Sequence, residues 1–112
     1  MDKIISKVAA LGVPGLILVI AIGATGLTGA AAVTTALAAL GPGGMIGGIA
    51  TLGVAGLVSE GISKYGFDAI FYGVLKELYK KGYSKEKILH KIKKYPISKS
   101  LKRKLKEKVE NF

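Results

Sequence analysis

Residues 8 to 59 read VAALGVPGLILVIAIGATGLTGAAAVTTALAALGPGGMIGGIATLGVAGLVS, 52 consecutive positions without Asp, Glu, Lys, Arg or His, 12 of them glycine. A charge at the centre of a bilayer costs roughly 2.5 to 3.5 kcal/mol on insertion scales, so an uncharged run of this length reads first as membrane-inserted polypeptide. As one helix it would extend roughly 78 Å, more than twice a hydrocarbon core of about 30 Å, so it must fold back on itself. The strongest turn signal is Gly41-Pro42-Gly43-Gly44, where proline removes a backbone donor and the glycines admit positive φ. A bend there gives a hairpin.

The arm before the bend is uneven. Val8, Leu11, Val13, Leu16, Ile17, Leu18, Val19, Ile20 and Ile22 crowd its first part, and at about −0.5 kcal/mol each they favour insertion by roughly 4 kcal/mol. From Gly23 to Leu40 only Leu27, Val33, Leu37 and Leu40 are large and apolar, and Gly23, Gly26 and Gly29 alternate with Thr25 and Thr28. This spacing predicts two short helices, near 9 to 22 and 27 to 40. After the bend, Met45 to Ser59 is short for a span, about 22 Å, and continues past Glu60. Glu60, Lys64 and Asp68 then follow at i, i+4 and i+8, a spacing at which charges on one helix face can pair. Gly43, Gly44, Gly47 and Gly48 form two overlapping GxxxG spacings. Such a bare face allows close helix approach and marks the candidate oligomerisation seam, the plain alternative being a glycine-rich turn. Thr25, Thr28, Thr34 and Thr35 can line water or bond their own helix backbone, and the second role is the commoner one.

The other half has the opposite solvent. The chain carries 17 Lys and Arg against seven Asp and Glu, a formal charge of +10, and 15 of those basic residues follow Glu60. Phe67, Ile70, Phe71, Val74, Leu75 and Leu78 keep the period of an amphipathic helix over roughly 63 to 81, with Gly82 as its stop and Tyr65, Tyr72 and Tyr79 as interfacial rings. Ser84 caps a helix to about Lys94 and Ser98 another to about Asn111, with Pro96 turning the chain between them. Their narrow stripes are Ile88, Leu89, Ile92 and Tyr95, then Leu101, Leu105, Val109 and Phe112.

From Ser84 onward 11 Lys and Arg face three Glu. Each basic residue near an anionic leaflet contributes about 1 kcal/mol of attraction. Lys93, Lys94, Lys102, Arg103 and Lys106 are the candidate anionic-lipid contacts. Lys3 and Lys7 make the N-terminus basic too, so the positive-inside tendency puts both termini on the cytoplasmic side of a membrane, with two crossings the simplest count. Lys7 followed by Val8 to Ile22 imitates a signal peptide, yet the apolar run continues for 37 residues to Ser59, which is stop-transfer behaviour.

The expected fold is therefore all-α. Residues 1–62 form a membrane-inserted hairpin of short Gly/Ala-rich helices, 63–82 an amphipathic interfacial helix and 83–112 a basic cytosolic helical hairpin. Catalysis has little support, since His90 is the single histidine, cysteine is absent and no nucleophile and base share a motif. No cofactor or metal is implied. Lysine dominates the tail and only Arg103 has a fork for base edges, which disfavours sequence-specific nucleic-acid binding.

Gly23-Ala24-Thr25-Gly26-Leu27-Thr28-Gly29-Ala30-Ala31-Ala32, the Gly41 to Gly48 turn and Thr51 to Leu57 resemble the small hydrophobic interferon-alpha-inducible protein family. That likeness implies a small helical protein of internal membranes with a part in cell death or antiviral defence, although the basic tail after Lys80 departs from the family pattern. Gly12-Val13-Pro14-Gly15, Val33-Thr34-Thr35, Gly41-Pro42-Gly43-Gly44 and the lysine-rich Lys76 to Lys81 are similar in layout to the leaderless and circular bacteriocins. This second likeness implies permeabilisation of membranes, and again the long tail departs from it.

The leading expectation is a small homo-oligomerising protein that perturbs or permeabilises a bilayer, as a toxin or a cell-death or defence effector. Its rival is a non-lytic membrane-anchored scaffold whose basic tail binds a partner or anionic lipid. A third reading is a water-soluble bundle that hides the apolar segment until triggered.

Overall fold

The computed structural model describes residues 1–27, 29–40, 49–95 and 97–111, with side chains for 1–27, 29, 31–36, 53–95 and 97–111. The described residues form seven helices: α1 (Asp2–Ala9), α2 (Val13–Ala24), α3 (Gly29–Leu40), α4 (Ile49–Tyr65), α5 (Phe67–Lys80), α6 (Lys85–Lys94) and α7 (Lys99–Glu110). The all-α class expected from the sequence is observed.

The helix that organises the rest is α2. Val13 and Gly15 to Ile22 are all buried, with no large side chain among them more than 4 % exposed. A helix apolar on every face has to be covered on every face, and α2 contacts each of the other six helices. Its 12 residues extend about 18 Å. Among the described residues no helix is long and apolar enough to cross a membrane. One core runs from Ile5 through Leu16, Ala36, Val58, Phe71 and Ile88 to Val109, so the apolar and basic parts of the chain bury side chains against each other. The radius of gyration, 12.3 Å, is close to the roughly 13 Å of a well-packed domain of this length.

Of the covering helices, α1, α5, α6 and α7 are amphipathic in the register their sequences dictate. In α1, Ile5, Val8 and Ala9 turn inward, while Asp2 in the first turn and Lys7 in the last complement the helix dipole. This helix is absent from the sequence expectation, which placed the first helix near residues 9 to 22. Gly12, at φ +74°, separates α1 from α2, and Pro14 in the first turn of α2 sits where its missing N–H has no helical partner to lose. The expected break between two short apolar helices is present, with α2 ending at Ala24 and α3 starting at Gly29. Thr25 Oγ1 donates to the Ile22 carbonyl at 2.7 Å and accepts from the Leu27 N–H at 3.1 Å, the backbone-satisfying role. Thr34 and Thr35 are exposed. The expected hairpin bend at Gly41 to Gly44, the seam of Gly43, Gly44, Gly47 and Gly48, and Thr28 lie outside the described residues.

Two sequence expectations need correction after Glu60. Lys64 does pair with Glu60, at 3.0 Å, but the helix stops at Tyr65 and Gly66 takes φ +90°, a conformation that costs other residues far more than glycine. Asp68 therefore begins a new helix and pairs elsewhere. The amphipathic helix expected over 63 to 81 accordingly starts at Phe67, and buries Ile70, Phe71, Val74, Leu75 and Leu78. Its end is a Schellman motif: Tyr83 N–H donates to the Leu78 carbonyl at 3.0 Å and Gly82 N–H to the Tyr79 carbonyl at 3.1 Å, with Gly82 at φ +100°.

Among the described residues close helix approach depends most on three glycines, with Gly61 against Ile70 a looser fourth. A methyl on Gly15 would run into the Val8 carbonyl of α1, one on Gly23 into the Phe67 ring of α5, and one on Gly73 into the Ile5 side chain. Gly53 and Gly56 on α4, by contrast, have open space where a methyl would stand. Urea denaturation of the two classes should therefore move in opposite directions. Gly15→Ala is expected to lose about 1 to 3 kcal/mol, because rigid backbone has to shift. Gly53→Ala and Gly56→Ala are each expected to gain about 0.5 to 1 kcal/mol from helix propensity. Equal effects of one sign would contradict the packing described.

Candidate anion-binding face

The two basic helices are built by their caps. Ser84 accepts a hydrogen bond from the Lys87 N–H at 3.1 Å and Ser98 one from the Leu101 N–H at 3.2 Å, each satisfying a donor that the first helical turn leaves unpaired. Ile88 and Ile92 on α6, and Leu101, Leu105 and Val109 on α7, are buried in the common core. The stripes are narrow, so most of the circumference of both helices is polar and predominantly basic.

Between them lies a groove of about 360 Å³ lined by Leu89, Ile92, Lys93, Lys99, Lys102, Arg103 and Lys106. Five cations surround two aliphatic side chains, and no carboxylate lines the groove. Lys102 Nζ donates to the Lys93 carbonyl at 2.9 Å, which ties α7 to the last turn of α6, where a cation also meets the negative end of the helix dipole. Lys106 reaches Glu110 at 3.9 Å, a solvent-exposed i, i+4 pair of small energetic weight. Like charges lining one groove repel one another and attract anions.

Of the five cations singled out from sequence, the structure brings Lys93, Lys102, Arg103 and Lys106 into this groove. Lys94 is exposed and does not line it. Lys99 does line it and was missed, although 99, 102, 103 and 106 follow i, i+3, i+4, i+7 on α7, the spacing of a single helix face. Its signal lies in helical phase, not in charge density.

Asp68, released from the face of Glu60 and Lys64, forms the second feature of this end. Lys108 Nζ donates to Asp68 Oδ1 at 3.0 Å and stands 5.3 Å from the centre of the Phe67 ring and 6.0 Å from that of Tyr72. Phe67 stacks on Phe71 at 5.6 Å and lies where Gly23 leaves room beside α2. One lysine thus clasps α7 to α5 and, through Phe67, to the end of the central helix. The hydrogen bond to Asp68 holds the Lys108 ammonium above its usual range, the mild desolvation opposing it. The raised value keeps this contribution fully present at neutral pH, and it fades only as pH climbs past the lysine range.

A shallower cleft of about 600 Å³ lies between α3 and α4, lined by Val33, Thr34, Ser59, Glu60, Ser63 and Lys64 among others. Ser59, nearly buried, donates to the Gly29 carbonyl at 3.4 Å. His90 is exposed on α6. Among the described residues no group of three or more His, Asp or Glu side chains is placed to hold a metal ion.

The clasp is measurable by a double-mutant cycle in thermal denaturation. Lys108→Ala should cost about 1 kcal/mol, combining an exposed ion pair with a cation–π contact, and lower the midpoint by roughly 4 °C or more. Asp68→Asn should cost less, and the two effects should be non-additive by about 0.5 kcal/mol. Strict additivity would mean that the two groups do not interact. No protein-family model, no curated protein and no solved structure matches this chain.

Proposed function

We propose that this protein acts on anionic bilayers, docking through the cationic face of α6 and α7 and then releasing its apolar helices into the lipid, where several copies together perturb or permeabilise the membrane as a toxin or a cell-death or defence effector. The observation that supports this reading most is the enclosure of α2, apolar on every face, by six helices in a chain whose formal charge is +10.

The energetics are favourable to such a transfer. For an aliphatic side chain, lipid tails are as good a solvent as a protein core, so α2 loses little by exchanging one for the other. The opposing cost is that of opening the bundle. A small domain is stable by only about 5 to 15 kcal/mol, and five or six basic residues at an anionic surface, at about 1 kcal/mol each, supply an attraction of the same order. Opposition from salt is built in, because that attraction is screened.

Oligomerisation follows from length. Since no described helix is long and apolar enough to cross a bilayer, perturbation calls for several short helices side by side, where glycine and alanine permit close approach. The basic ends stay with the anionic leaflet in this arrangement, consistent with both termini on its side.

Vesicles loaded with a self-quenched dye test the proposal. Phosphatidylglycerol-containing vesicles should leak with a steep dependence on the protein-to-lipid ratio, phosphatidylcholine vesicles should stay largely intact, and 0.5 M salt should suppress leakage. Absence of leakage at every ratio would overturn it.

A further inference from the structure

The α6–α7 groove has a composition that a merely solvated basic surface lacks, aliphatic side chains and five cations lining one cavity. Resting on the membrane reading above, we infer that it is a discrete site for one anionic phospholipid, which holds the phosphodiester headgroup among Lys93, Lys99, Lys102, Arg103 and Lys106 and the first part of an acyl chain against half-buried Leu89 and the aliphatic stems of the lysines. Diffuse attraction to a charged surface requires only the lysines. The groove adds three features.

Its volume, about 360 Å³, falls within the roughly 300 to 1,000 Å³ of small-molecule sites. Its charge complements an anion, since five cations and no carboxylate line it, and Arg103 brings the planar fork that binds a phosphate through two parallel hydrogen bonds. It is also partly preorganised: the Lys102 ammonium is already fixed to the Lys93 carbonyl at 2.9 Å, so less side-chain freedom is lost on binding. The four α7 cations share one face, and Lys93 approaches from α6. A headgroup between the helices would relieve their mutual repulsion, while Leu89 and the lysine stems offer an acyl chain the surface that a water-soluble anion cannot use. Nucleic acid fits less well, because no aromatic ring lines the groove for base stacking.

The full chain, isotopically labelled and titrated with dihexanoyl phosphatidylglycerol below its micellar concentration, provides the test by NMR. Saturable one-to-one binding is expected, with shifts centred on Leu89, Ile92 and Arg103. Glycerophosphoglycerol, the deacylated phosphodiester with the same single charge and no chains, and dihexanoyl phosphatidylcholine, which has the chains without the net charge, should both bind at least tenfold more weakly, about 1.4 kcal/mol. Arg103→Gln with Lys106→Gln should weaken the phosphatidylglycerol complex roughly 30-fold, equivalent to about 1 kcal/mol per basic residue. Lys76→Gln with Lys81→Gln, the same charge change on exposed positions outside the groove, should leave it nearly unchanged, and circular dichroism establishes that both variants fold. Leu89→Gln should weaken binding of the lipid but not of glycerophosphoglycerol.

Non-saturating shifts, equal affinity for phosphatidylcholine or glycerophosphoglycerol, or tighter binding of a duplex oligonucleotide at the same residues would overturn the site. Vesicle leakage by the same preparation separates the two claims. Leakage without one-to-one binding removes the groove and leaves the membrane reading, and binding without leakage does the reverse.

Discussion

The enclosure of α2 is the constraint on which the rest of the structure depends. Its sequence offers water no acceptable side: Val13, Leu16, Ile17, Leu18, Val19, Ile20 and Ile22 project around the whole circumference and are all buried. Seven such side chains, at about 1.5 to 3 kcal/mol each when fully buried, contribute on the order of 10 to 20 kcal/mol, an upper bound because an unfolded chain already covers some of them. To collect that energy the chain must surround one short helix with six others. Four of those, α1, α5, α6 and α7, have one inward stripe, and the tightest approaches fall where Gly15, Gly23 and Gly73 leave no side chain in the way.

The same requirement explains which parts of the fold were legible in the sequence. Local signals were: Ser84 and Ser98 cap the helices they were expected to cap, Gly82 terminates α5, and the glycines after Ile22 separate two short apolar helices. Less legible were features that local pattern disguises. The first residues resemble the charged leader of a signal peptide, yet Ile5, Val8 and Ala9 form the inward face of α1. Gly66 looked like one more helical residue within a regular charge spacing, and its positive φ sends Asp68 to a different helix and a different lysine.

What covers the apolar run was the harder question, and the reason is physical. An aliphatic side chain is satisfied almost equally by lipid tails or by protein, so hydrophobicity alone names neither. The deciding information is non-local. The stripes of α1, α5, α6 and α7, each too narrow to close upon itself, supply enough apolar surface to sheathe a single 12-residue helix. In the candidate site, charge density identified four of the five groove cations, whereas helical phase identifies all four on α7, Lys99 included.

The coat of this bundle works against itself. Seventeen basic residues against seven acidic ones repel across a small surface, and the Lys108 clasp to Asp68 and Phe67 holds α7 down near the end of α2. An anionic membrane would remove that repulsion while offering α2 a second apolar solvent, which links the stability of the fold to its proposed action. The most direct measurement is photochemical labelling from lipid tails. With vesicles of phosphatidylglycerol carrying a diazirine in the acyl chain, mass spectrometry should locate adducts within residues 13–24, and phosphatidylcholine vesicles should give almost none there. Adducts confined to α6 and α7 on anionic vesicles, with α2 unlabelled, would contradict the account, because the central helix would then have stayed enclosed.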